Sequence, residues 1–163
     1  MTAVSPPTHP ARLSSIGARR RSIIAHASRY LGALAVLATG VAHIEQYAVD
    51  SYSTVPTIGT LFLLNFIGAI VISVGLIAPL RRVTGRYTDA VRAVFAVGGI
   101  GLGVLSLVAL FVSESSGLFG FVEHGYRMAI VSAIVAEVAA TVLLVAFLLA
   151  NGTGLQEIRR GSR

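Results

Sequence analysis

The chain has 163 residues, of which 55% are hydrophobic and only 12% are charged. Because an average soluble domain carries about 25% charged residues, this composition predicts a protein whose solvent is the lipid bilayer. The absence of cysteine excludes disulfides, iron–sulfur clusters and thiol catalysis.

Four apolar stretches are each long enough for a membrane-spanning helix, which needs about 20 residues. These predicted spans are Tyr30–Val49, Thr57–Leu80, Ala90–Val112 and Met128–Ala150. Residues 1–29 form an Arg-rich tail that is predicted to be disordered, and residues 151–163 form a second polar tail. The pattern predicts an all-α integral membrane protein, a four-helix up-down bundle over residues 30–150.

The basic residues indicate the orientation of this bundle. All 13 are arginines, and 12 of them lie before the first span, between the second and third or just inside the third, or after the fourth. Only Arg127 lies on the other side. The positive-inside rule therefore predicts cytoplasmic N- and C-termini in a bacterial plasma membrane. The net charge of +6 is therefore explained by the orientation of the protein in the membrane, and nucleic acid is not expected as a partner. The arginines can have a lesser role in binding anionic lipid headgroups.

Small residues predict how the helices pack. Gly99 and Gly103 have GxxxG spacing in the third span, and close helix packing in lipid depends on such residues. The run does not resemble a phosphate-binding loop, since no strand precedes it and no polar residue interrupts it.

Two polar side chains lie within the apolar spans. Glu137 is in the fourth span and Asn65 in the second, at matching depths on the outer side. A carboxyl group at such a depth costs roughly 2.5–3.5 kcal/mol on insertion scales, so it requires a partner. We expect a hydrogen bond between Glu137 and Asn65. It acts either as a structural tie between helices or as an intramembrane site for a proton or ligand.

A second polar cluster is predicted at the outer face. Its residues are His43, Gln46, Tyr47 and Asp50 at helical spacing on the first span, with Glu123 and His124 from the last outer loop. His43 and His124 are candidate ligands for a metal or a haem, although their spacing is unspecific. The alternative is that these rings lie at the level of the lipid headgroups.

Two segments carry a resemblance to a known group of proteins. The runs HIEQYAVDSYSTVPTIGTLFLLN (43–65) and GLFGFVEHGYR (117–127) resemble motifs of small four-span membrane proteins of high-GC Gram-positive bacteria. The span pattern also loosely resembles DoxX-like four-helix proteins, some of which are tied to redox or sulfur metabolism. The resemblance implies a fold and a lineage, and no activity.

The sequence favours a non-enzymatic role. We expect an accessory subunit of a larger respiratory or envelope complex, bound to other membrane subunits or to a second copy of itself. One alternative is a small proton-coupled transporter module that uses Glu137 and Asn65. Another is a redox, metal-binding or haem-binding membrane protein that uses His43 and His124.

Overall fold

A computed structural model describes residues 9–49, 52–120, 122 and 128–161, and these residues are almost entirely helical. The helices are α1 His9–Val49, α2 Pro56–Ile77, α3 Arg81–Thr84, α4 Thr88–Ser115 and α5 Met128–Gly161. Short 3₁₀ turns, Tyr52–Thr54 and Gly85–Tyr87, precede α2 and α4. α1, α2, α4 and α5 are each long and apolar enough to cross a membrane, which supports a multi-pass membrane protein.

Proline defines both ends of α2. The helix begins at Pro56, where the missing N–H costs nothing because the first turn has no intrahelical acceptor for it. It ends at Ile77, earlier than the predicted Leu80. Ala78 has an extended backbone, with φ −55° and ψ 148°, because the ring of Pro79 disfavours the α conformation in the residue before it.

Two helices extend beyond the apolar spans. α1 begins at His9, so residues 9–29 are helical where a disordered tail is predicted. Its Ala, Arg and Leu residues favour helix, and Pro10 lies in the first turn, where proline is tolerated. α5 likewise continues to Gly161, past the predicted end of the fourth span at Ala150. In both cases an established helix is extended at low cost, since only nucleation is unfavourable.

The four long helices pack around a core of mostly small and aliphatic side chains. α1 and α4 each pack against both α2 and α5, whereas α1 and α4 barely touch each other. The core consists of Ala33, Val36, Ala69, Leu76, Ala96, Ala140, Leu144 and Phe147. Large apolar side chains on the outer faces, such as Val94 and Leu105, are 70% exposed. Such faces suit contact with lipid.

Gly99 and Gly103 both face α5 across a close helix contact. A Cβ atom on Gly99 would lie 2.6 Å from the Leu144 side chain. A Cβ atom on Gly103 would lie 3.2 Å from the Glu137 carbonyl oxygen. The two glycines therefore allow α4 to approach α5 at the level of the polar residues.

Candidate functional site

A cavity of about 110 Å³ lies between the four long helices. Each helix contributes at least one polar side chain to its wall, among them His43 from α1, Asn65 from α2, Ser106 from α4 and Glu137 from α5. Most of the remaining wall is apolar. The cavity is thus a mostly apolar chamber in which several hydrogen-bonding groups converge, which is the usual composition of a small-molecule site.

The two ionisable groups of the cavity lie side by side. The Nε2 atom of His43 is 3.8 Å from the Oε1 atom of Glu137. His43 is 7% exposed and Glu137 only 3% exposed, so both are removed from solvent. Because burying an unpaired charge is costly, their proximity explains how a carboxyl group is tolerated at this depth.

The helix and two aromatic rings fix the orientation of the imidazole. Its Nδ1 atom lies 2.9 Å from the carbonyl oxygen of Thr39, one turn earlier in α1. A carbonyl oxygen can only accept, so Nδ1 carries a proton and Nε2 is the nitrogen that faces Glu137. The rings of His43 and Phe62 are nearly perpendicular, with their centroids 5.0 Å apart. Phe62 in turn packs against Tyr52.

Ser106 is hydrogen-bonded to the asparagine and lies near the carboxyl group. The Nδ2 atom of Asn65 donates to the Ser106 Oγ atom at 2.6 Å, and the Ser106 hydroxyl is close enough to Glu137 to act on its carboxyl group. Since the Ser106 oxygen already accepts from Asn65, its own proton is available to the carboxyl group. Among the described residues, the buried Oδ1 atom of Asn65 has no partner. The cavity therefore retains one unused acceptor.

The structure brings residues from both predicted clusters into this one cavity. His43 and Gln46, expected at the outer face, line it together with Glu137 and Asn65. The predicted hydrogen bond between Asn65 and Glu137 does not form among the described residues, because the Asn65 amide donates to Ser106. Tyr47 is half-buried and lies beside Gly59. Asp50, Glu123 and His124 lie outside the described residues, so the proposed pairing of His43 with His124 does too.

Ser106 is the cavity residue that the sequence does not identify. A single serine in an apolar helix is common, because its hydroxyl can bond to its own helix backbone. The sequence feature that could identify it is its depth in the membrane. Ser106 lies within the third predicted span, just as Asn65 and Glu137 lie within the second and fourth.

Comparisons with known proteins do not identify the site. No family model, curated protein or solved structure matches this chain. Within the described part of the chain, His, Asp and Glu residues form no group of three that could hold a metal ion. The function must therefore be inferred from the geometry of the cavity.

Proposed function

We propose that this protein is a non-enzymatic, proton-coupled membrane module, in which His43 and Glu137 exchange a proton beside a small ligand cavity. The observation that carries this proposal is the 3.8 Å approach of His43 Nε2 to Glu137 Oε1 in the wall of a mostly apolar cavity. The proposal includes a four-helix up-down bundle in a bacterial plasma membrane with both termini cytoplasmic. The distribution of arginines and the pairing of neighbouring helices support this arrangement.

The pair can hold zero, one or two exchangeable protons. With one proton, placed either on Nε2 or on the carboxyl group, the pair has no net charge. This is the state that a low-dielectric site favours. Gain of a second proton makes the pair positive, and loss of the first makes it negative. Each change favours a ligand of opposite charge in the adjoining cavity, and this is the physical basis of coupling.

Ser106 and Asn65 give the carboxyl group a defined position. The Ser106 hydroxyl lies beside the carboxyl group of Glu137, and Asn65 holds the serine through the 2.6 Å hydrogen bond. The free Oδ1 atom of Asn65 and the apolar wall complete a site for a ligand with at least one hydrogen-bond donor.

Proton flux into lipid vesicles tests the proposal, with Glu137→Gln as the variant and Glu45→Gln as its matched control. Glu45 is an exposed carboxylate that does not line the cavity. We expect the wild type and Glu45→Gln to acidify vesicles under an imposed pH gradient, and Glu137→Gln to match protein-free vesicles. Equal flux from Glu137→Gln and the wild type, or no flux from the wild type, would overturn the proposal. Circular dichroism confirms that each variant is helical.

The accessory-subunit expectation is a second proposal with a separate test. It requires partner proteins that stay bound through purification in mild detergent, whereas a proton-coupled module functions alone or as a homo-oligomer. Mass spectrometry of the purified sample separates these cases. The absorption spectrum and metal content of the same sample test the haem and metal alternatives through His43 and His124.

A further inference from the structure

A second cavity, of about 390 Å³, lies where α3 joins α2 to α4. Three arginines contribute to its wall, which is formed by Arg81, Gly85, Arg86, Thr88, Asp89 and Arg92. Asp89 is the one acidic residue in this wall, so the cavity has an excess of positive charge. Its size falls within the range of small-ligand sites.

A fourth arginine approaches from α1. The positive charges of Arg29 and Arg92 repel each other. Arg81 repels Arg92 in the same way, and the carboxylate of Asp89 opposes them. The protein therefore holds like charges together at this point, which is unfavourable without an anion.

Two of these guanidinium groups have donors without acceptors. Arg29 is 5% exposed, and its buried Nε atom has no hydrogen-bond partner among the described residues. The Nε atom of Arg92 is buried and unpartnered in the same way. The ring of Tyr30, 4.5 Å from the Arg29 guanidinium, offers only a cation–π contact. Buried charged donors are normally paired, so these two arginines lack the acceptors that such groups usually have.

We propose that this cluster binds a phosphate group, as carried by an anionic phospholipid headgroup or a soluble phosphate. Phosphate presents several acceptor oxygens, and the planar guanidinium fork matches two of them at once. The cavity supplies up to three forks, and the charge of Arg29 also acts on Arg92. An anion here removes the repulsion among the arginines and gives an acceptor to the guanidinium groups that line the cavity.

Native mass spectrometry of the full chain in detergent tests the proposal, with phosphatidylglycerol, phosphatidylcholine and inorganic phosphate as probes. The variants are Arg92→Gln and Arg81→Gln, and the matched control is Arg82→Gln. Arg81 and Arg82 are exposed neighbours in α3, but only Arg81 lines the cavity. Arg81→Gln also serves if the half-buried Arg92→Gln variant fails to fold.

We expect the wild type and Arg82→Gln to retain phosphatidylglycerol over phosphatidylcholine by about tenfold or more, as charge-assisted hydrogen bonds allow. Both cavity variants should lose most of this preference. Displacement of the lipid by inorganic phosphate would identify a soluble phosphate as a ligand, and retention of the lipid would identify the headgroup. Equal retention of both lipids together with no phosphate binding would overturn the proposal. The proposal would also be overturned if Arg82→Gln lost as much of the preference for phosphatidylglycerol as Arg92→Gln does.

Discussion

Ser106 is the residue at which polar groups of three helices meet. Its hydroxyl accepts from Asn65 of α2 and lies beside the carboxyl group of Glu137 of α5. We expect Ser106→Ala to lower the free energy of unfolding by about 1 kcal/mol, because it leaves two buried polar groups with fewer partners. Thermal unfolding in detergent measures this effect.

The control for this substitution is Ser115→Ala. Ser115 is on the same helix but is exposed, and its hydroxyl reaches only the Val112 carbonyl oxygen of its own helix. Its removal should leave the unfolding temperature unchanged. If the two alanine variants unfold alike, the network contributes nothing to stability, and the cavity is held by packing alone.

The sequence predicts the polar residues of the cavity better than it predicts their contacts. Glu137 and Asn65 are conspicuous because a polar side chain in an apolar span is costly. His43 is visible as well, but its position near the end of the first predicted span suggests the headgroup region. Hydropathy predicts the depth of a residue in the membrane but not the direction in which its helix face points. The proximity of His43 to Glu137 therefore cannot be predicted from the sequence.

At the scale of helices, α1 and α2 meet most closely at Gly40. A Cβ atom there would lie 2.6 Å from the Cβ atom of Ala69, which cannot rotate away. We expect Gly40→Ala to destabilise the protein by about 1–3 kcal/mol, because the two helices must separate. Thermal unfolding in detergent again provides the measurement.

Gly101→Ala is the matched change on α4, since nothing lies within 4 Å of the added methyl group. It should cause no loss of stability and can raise it, because alanine favours helix over glycine by roughly 0.5–1 kcal/mol. A Gly101→Ala variant that is as unstable as Gly40→Ala would show that helix flexibility, and not packing, is what these glycines provide.

Helix existence follows from the sequence more directly than helix length does. The start of α5 at Met128 matches the predicted span, because an apolar stretch follows that residue without interruption. Hydropathy does not predict the polar extensions of α1 and α5, because it delimits only the part of a helix that lies in the membrane. Residues such as Ala, Arg and Leu favour helix in water as well. The GxxxG spacing identifies Gly99 and Gly103, whereas Gly40 has no second glycine four residues away in α1 and gives no such signal.

For the whole molecule, the positions of the arginines predict which side of the membrane each connection occupies. The segment around α3 carries Arg81, Arg82 and Arg86 and is expected in the cytoplasm, and the segment after α4 is expected outside. The chain has no cysteine, so a single introduced thiol reports its own location. Val83→Cys and Ser116→Cys suit this purpose, because both positions are exposed and neither change alters a charge.

We expect a membrane-impermeant maleimide to label Ser116→Cys in intact cells, and Val83→Cys only after the membrane is opened. The reason is that moving the arginine-rich connection across the membrane is disfavoured, whereas the outer segment bears no such barrier. Labelling of both thiols after permeabilisation is the internal control for access. The opposite pattern in intact cells would invert the topology and place the arginine cavity outside. The phosphate that reaches it would then be that of the outer leaflet or the external medium.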